Sequence, residues 1–574
     1  MASPQPPQPQ LSAKGLRAAQ KRAQQPRSPL LAIDFFSIAY RIIPWTRAVL
    51  YLVAAAVGSY VSQLSLAPVY GEIPSSLHHD KIVSGMFFSV WLLKGLVRKF
   101  PVKLSALIPV LVLHTPGVLH FIFRYSTKWG AINGPIYTEA LTYYPVLFLS
   151  VYAAATLMEF NNIVLDAIPA GISYAIFSIA RSTIPGLLQN HIGSSWALTR
   201  CGLHHVLGGL YAALSPSLLL ATTIAAIFHS ANDNPMCILT PALNETLAAH
   251  NHTLIARHES NTGYISVLEN FQVGYRVLRC DHSLLGGEWQ RPPIGFEHMD
   301  HPNFKEPIYS IFVIMEAVRL IEPAPKSPNP KALAIGLGIG TSADALIKHG
   351  IETDIVELDP IVYEYALEYF GLEKNHTAYI EDAVGFVKRE AAKSEDPKKY
   401  DYILHDVFTG GAVPASLFTS ELFEGLSQML NDDGVIAINW AGDLKLRAAR
   451  SIIETVRKVF HNCRVFREEM PSEDIKEAKM DFTNMVMFCT KYTAPYEFRA
   501  PVESDFLGSY ARQRFLFPRY EINLEKYWAD IADDSYEILT ESNIGKLNAW
   551  QKISAVGHWG VIRTVVPDVV WENY

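Results

Sequence analysis

The charged residues divide the chain into two unlike halves. Ala48–Leu66, Leu104–Phe123, Ala140–Met158 and Cys201–Asn232 each run without one Asp, Glu, Lys or Arg. A helix of about 20 such residues crosses roughly 30 Å of hydrocarbon, so all four are expected to span a membrane. Two weaker runs, Ile82–Val97 with Lys94 inside and Ile163–Ala180 with Asp166 near one end and Arg181 just beyond the other, read as spans or as re-entrant or interfacial helices. The pattern therefore predicts a multi-span α-helical membrane region over residues 31–232, with about six spans. Residues 1–30, rich in Pro and Gln and carrying Lys14, Arg17, Lys21, Arg22 and Arg27 without an acid, are expected to be a disordered tail. The first apolar run begins too late for a cleaved signal peptide.

From Lys331 onward the period changes. Short apolar runs at Ala332–Ile335, Thr353–Leu358, Thr377–Ile380, Tyr402–Leu404 and Val435–Ile438 alternate with helical segments, as in a doubly wound α/β sheet. Cys463–Phe466 and Met485–Cys489 follow with no helical pattern between them and predict an antiparallel pair. Seven strands with a reversed final pair define a class I methyltransferase-like sheet, here over residues 326–495. A small β-unit and first helix are expected over 262–325, and a carboxy-terminal cap over 496–574.

Composition narrows the partners. Against 49 basic residues stand 56 acidic ones, a net charge of -7, which leaves no basic excess to neutralise phosphates and argues against nucleic acid. Lipid is the expected partner of the apolar half. The five cysteines, Cys201, Cys237, Cys280, Cys463 and Cys489, have no Cys-x-x-Cys spacing and are expected to be buried thiols rather than metal ligands. No metal is expected.

Basic residues cluster in the tail and at Lys94, Arg98, Lys99 and Lys103, which marks both as cytoplasmic. Six spans return the chain to the cytosol before Asp233, so the catalytic half is expected to be cytosolic. Five would leave the catalytic half in a lumen, where the sequons Asn244-Glu245-Thr246 and Asn251-His252-Thr253 could be glycosylated and Cys237 could pair with Cys280. His204, His205 and His229 are expected to pack between helices.

The first strand of the sheet runs into Gly336-Leu337-Gly338-Ile339-Gly340-Thr341, a turn whose glycines let the backbone approach a ligand before a helix begins. Glu357 ends the next strand, where a carboxylate accepts hydrogen bonds from the two ribose hydroxyls of an adenosine. Asp382 and Ala383 follow the third strand and Asp406 ends the fourth. Successive strand ends thus deliver a glycine turn and three carboxylates to the edge of the sheet where such folds bind ligands.

With these residues in view, the chain over roughly 262–490 resembles the spermidine and spermine synthase family of polyamine aminopropyltransferases. Tyr264–Leu268 and Tyr275–Asp281 read as a β-hairpin followed by Gly286-Gly287-Glu288-Trp289-Gln290, similar to the family's amino-terminal β-unit. Glu306-Pro307-Ile308-Tyr309 is similar to the acid and tyrosine that open its first helix. The resemblance implies an S-adenosyl sulfonium donor held by Gln290, Gly336, Gly338, Gly340, Glu357, Asp382 and Ala383, with Tyr309 and Asp406 facing the attacking amine. A homodimer is one assembly compatible with it. Two positions depart from the family. Ile339 stands where an aspartate faces the ammonium of decarboxylated S-adenosylmethionine, and an ammonium set against an isoleucine is penalised by several kcal/mol, on the order of. Thr409 stands where a second aspartate of the gating loop Asp406-Val407-Phe408-Thr409-Gly410-Gly411 would hold a di-cationic amine. Both departures favour methyl transfer from S-adenosylmethionine to a bulkier or more apolar acceptor over aminopropyl transfer to a polyamine. A non-catalytic membrane scaffold and a nicotinamide-linked dehydrogenase are the other classes weighed; Glu357, Asp382 and Asp406 together speak against the first, and the reversed hairpin with Asp406 against the second.

Overall fold

The computed structural model describes residues 35–99, 103–160, 164–238, 240–300, 304–393, 397–407, 411–470, 481–529 and 535–573. The tail expected over 1–30 and the loop residues Phe408, Thr409 and Gly410 lie outside them.

The apolar half folds as a helical bundle around Ala48, Leu52, Ala55, Phe87, Val112, Leu147, Val151 and Phe177. Among the described residues three helices are long and apolar enough to cross a membrane, Ile43–Tyr70, Leu104–Leu141 and Ala167–His191, against the six spans expected. The shorter pieces arise where polar and breaking residues interrupt the pattern. The uncharged run Cys201–Asn232 is two helices, Arg200–Leu214 and Thr223–Asn232, because Pro216 has no N–H to continue a helix and pushes Ser215 out of the helical region.

This break changes the direction in which the chain leaves the bundle. One face carries Lys94 and Arg98, paired with Glu159 and Asp166. Arg47 and Tyr51, at the start of the first long helix, bond to Leu214 O. At the other end of that helix, Arg200 bonds to Leu64 O and to Asp281 of the following domain. The segment from Arg200 therefore runs to the far end at Leu214 and returns, and a disulfide between Cys201 and Cys237 closes the excursion. The chain enters the α/β half from the face opposite Lys94 and Arg98. His204 and His205 each bond a backbone carbonyl four residues back, Arg200 O and Cys201 O, as packing residues do.

Next comes a five-stranded antiparallel sheet, β1 (His252–Ser260), β2 (Gly263–Asn270), β3 (Tyr275–Cys280), β4 (Ser283–Trp289) and β5 (Glu306–Pro307), in that order. It contains the expected hairpin and begins ten residues before the expected boundary at 262. A short β6 (Ile321–Glu322) pairs with β14 (Glu497–Phe498). The main sheet comprises β7 (Lys331–Ile335), β8 (Glu352–Glu357), β9 (Thr377–Ile380), β10 (Tyr400–His405), β11 (Leu430–Asp443), β12 (Asn462–Arg467), β13 (Phe482–Thr490) and β15 (Tyr520–Glu521), ordered β15-β12-β13-β11-β10-β7-β8-β9. Strands β7 to β11 are parallel neighbours, and β13 runs antiparallel to both β11 and β12. So β13 alone of the expected final pair is reversed, while β12 keeps the common direction. The order reverses beside β7, which opens a crevice at the carboxyl ends of β7 and β10.

The cysteines depart from the expectation of free thiols. Cys463 and Cys489 face each other across β12 and β13 and are joined. Cys201 takes Cys237, which leaves Cys280 buried and unpaired in a disulfide. The expected alternative pair of Cys237 with Cys280 does not form.

Three arginines fasten the bundle to the α/β half. Arg279, 1% exposed, donates to Pro68 O, Val570 O and Asp281 O, each at 2.7 Å. Arg563 donates to Val69 O and Thr127 Oγ1. Arg200 adds an ion pair to Glu259. The carboxy-terminal helices Lys552–Val565 and Asp568–Glu572 thus wedge between the bundle and the small sheet.

Candidate functional site

A cavity of about 200 Å³ opens at the carboxyl ends of β7, β8 and β10, lined among others by Gly336, Gly338, Glu357, Asp382, Ala383, Asp406 and Asn439. The glycine turn is shaped for close approach. Gly336 has φ +79°, and a Cβ there would lie 1.9 Å from Asp406 O; at Gly338, φ +57°, it would lie 2.4 Å from Leu285 O. Only a residue without a side chain lets β7, β10 and the small sheet meet at this point. Gly340, also at positive φ, caps the helix Thr341–Lys348 outside the cavity wall.

Glu357 accepts from Leu337 N at 3.0 Å and from Asp359 N at 2.9 Å, which fixes its carboxylate across the turn. Burial raises its pKa to about 7, partly offset by the amide of Asp359. Each oxygen keeps a lone pair for a further donor, such as a ribose hydroxyl. Asp382 caps the helix Ala383–Ala391 through Val384 N and Gly385 N and is exposed at the cavity mouth.

Asp406 sits at the junction. Its Oδ1 accepts from Asn439 Nδ2 at 2.8 Å, and burial raises its pKa to about 6 against the lowering effect of that bond. A carboxylate poised near neutrality can orient a nucleophile and take its proton.

Besides Gly340, two expected site residues stand off the cavity, Gln290 and Tyr309. Gln290 donates to Glu288 Oε1 at 2.6 Å and does not line the wall. Tyr309 precedes the helix Ser310–Met315, and its ring meets Phe312, which does line the wall. The phenol oxygen is buried without a hydrogen-bond partner among the described residues, and burial raises its pKa. Glu306, beside it, caps a later helix through Tyr510 N and Ala511 N. Ile339 also turns away: it packs with Ile265, Leu278 and Phe370, and against Gly286 of the small sheet. Its side chain also lines a smaller cavity with Glu288, Lys305 and Thr341.

The sequence missed several wall residues. Asn439 lies one position beyond the predicted end of the fifth strand, so extending the strand-end pattern by one residue would have found it. Thr262 is brought in from the β1–β2 turn by Asp359, which accepts from Ser260 Oγ at 2.8 Å and Thr262 N at 3.2 Å while capping the helix Pro360–Tyr369. No local signal links positions so far apart in the chain.

A second, larger chamber of about 510 Å³ adjoins the first, and the two share Thr262, Cys280 and Pro414 as wall residues. Its other walls come from Gly71–Ser76 of the bundle, Asp281–Ser283 and the helices around Asn548 and Lys552. The geometry thus provides a largely apolar slot edged by Glu357 and Asp382, a half-buried Asp406 at its end and a larger chamber beyond.

Residues 315–484 match the spermine/spermidine synthase domain family. The chain is 44% identical over 546 residues to an N-terminal histidine N-methyltransferase of Emericella nidulans, covering 91% of this chain and 96% of that one. It is 37% identical over 139 residues to a polyamine aminopropyltransferase of Vibrio vulnificus, covering 23% of this chain and 45% of that one. Among solved structures, a probable spermidine synthase from Corynebacterium glutamicum aligns with a TM-score of 0.37 at 16% identity, over 50% of this chain and 97% of the other.

Proposed function

Because this chain belongs to the family of the Emericella nidulans N-terminal histidine N-methyltransferase, and is thus an S-adenosylmethionine-type transferase, we propose that it methylates a nitrogen of an N-terminal histidine. The observation that carries the reading is the 44% identity across nearly the full length of both chains, bundle included. In this reading the Gly336–Gly338 turn and Glu357 hold the donor's ribose and Asp382 and Ala383 border its adenine. The acceptor nitrogen approaches from the antechamber. Its lone pair attacks the methyl carbon, the carbon–sulfur bond breaks with its electrons remaining on sulfur, and S-adenosylhomocysteine departs. Asp406 orients the nitrogen and accepts its proton. Because the sulfonium is already activated, alignment of the two partners supplies most of the acceleration.

The helical bundle anchors the enzyme in a bilayer. We favour the luminal placement of the catalytic half over the cytosolic one. Two observations support it: the chain leaves the bundle on the face opposite Lys94 and Arg98, which mark the cytoplasmic side, and two disulfides persist most readily in an oxidising compartment.

The test is to incubate the purified full-length protein with S-adenosylmethionine and peptides that begin with His, or with Ala-His, and read products by mass spectrometry. Methylation of the His-first peptide alone is the expected result. Aminopropylation of an amine from decarboxylated S-adenosylmethionine, with no methyl product, would replace the reading by the polyamine alternative.

A further inference from the structure

We propose that the antechamber is the acceptor pocket and that Glu72, contributed by the helical bundle, is the carboxylate that binds the acceptor's terminal ammonium. The inference rests on the N-terminal acceptor proposed above and adds the group that recognises it.

The chamber stands where an acceptor must stand, sharing the wall of Thr262, Cys280 and Pro414 with the cavity that holds Asp406. Its volume of about 510 Å³ lies within the roughly 300–1,000 Å³ of ordinary ligand sites. Lining it are two carboxylates of different availability. Asp281 is occupied: its Oδ1 accepts from Tyr264 N at 2.8 Å and from Arg200 Nη2 at 2.9 Å. Glu72 forms no hydrogen bond or ion pair among the described residues, although it lines the same space. Lys552 lines the chamber as well without pairing to it.

Glu72 presents an exposed, unpaired carboxylate to the chamber, and the surrounding walls and Asp281 both push its pKa up. A cation entering the chamber finds this carboxylate free to pair with it. A free chain terminus carries one: an α-ammonium with a pKa of about 7.7–8.0, which every internal residue lacks. A carboxylate at this place therefore separates a terminal residue from an internal one. Glu72 opens the short helix Glu72–Ser76 directly after the first long helix ends at Tyr70. The acceptor pocket is incomplete without the bundle, which gives the bundle a part in recognition as well as anchoring.

The experiment uses full-length protein in nanodiscs, saturated with S-adenosylhomocysteine so that no turnover occurs. Fluorescence polarisation measures binding of a His-first peptide labelled at its carboxyl end and of the same peptide acetylated on its α-nitrogen. The expected result is that wild type prefers the free amine at least tenfold, that Glu72→Gln reduces the preference to less than twofold, and that Glu72→Asp restores part of it. S-adenosylhomocysteine affinity should stay within twofold in both variants, which reports an intact fold. A preference retained in Glu72→Gln would overturn the role of Glu72 while leaving the N-terminal acceptor in place. No preference in wild type would overturn both.

Discussion

Asn439→Ala should move the pH dependence of methyl transfer without destroying it. The Asn439 amide donates to Asp406 at 2.8 Å and is the interaction that holds the Asp406 pKa down to about 6 against burial. A hydrogen bond to a charged group is worth about 1.5–3 kcal/mol, and one pKa unit corresponds to about 1.36 kcal/mol. Its removal should raise the Asp406 pKa by about one to two units, to about 7–8. Asp406 works as the carboxylate, so activity is lost as pH falls through its pKa. In wild type that loss begins near pH 6; in the variant it should begin above pH 7. The assay is kcat/KM for a His-first peptide between pH 5 and 9, roughly. The acceptor's own ionisation contributes a limb common to both proteins, so the difference between the two profiles reads Asp406 alone. An acid limb that stays near pH 6 in the variant, with only a lower plateau, would refute the assignment of Asp406 as the base.

Asp406→Asn keeps the shape of the side chain and should lower kcat by about 10²–10⁴-fold while donor affinity by calorimetry changes little. Gly336→Ala should be far more damaging than Gly350→Ala: both positions have positive φ, which alone is worth about 1–2 kcal/mol, but a Cβ at Gly336 lies 1.9 Å from Asp406 O whereas at Gly350 it meets nothing within 4 Å. Thermal melts of the two variants should therefore differ clearly, with Gly336→Ala failing to accumulate as folded protein. Differential alkylation with peptide mapping should recover Cys201–Cys237 and Cys463–Cys489 as disulfides and Cys280 as the free thiol; removing either bridge should lower stability by about 3–4 kcal/mol by the loop-entropy estimate.

The sheet was legible because its central strands are buried on both faces and read as unbroken apolar runs between turns. Glu357, Asp382 and Asp406 were legible for a related reason: each follows such a run directly. What escaped the sequence depended on contacts between distant parts of the chain. The packing of the Ile339 side chain against Gly286 and the small sheet depends on residues far from it in the chain, so its identity alone did not reveal it. Thr262 reaches the cavity because Asp359 holds it. The division of Cys201–Asn232 into two helices was not legible because a run free of charge says nothing about where Ser215 and Pro216 will break it. The pairing of Cys463 with Cys489 could have been found, since aligning the two predicted strands as a hairpin sets them opposite each other.

Arg279 has a mechanical consequence. One guanidinium gathers Pro68, Asp281 and Val570, and a joint closed at three points does not swing. The chamber wall at Asp281–Ser283 is thereby tied to the bundle at Pro68 and to the carboxy-terminal helix at Val570, a fixed gauge rather than a moving arm. On the proposed reading of the acceptor, the consequence is selection by reach: a His-first terminus on a slack leader should be methylated, and the same terminus folded flush against its own domain should not.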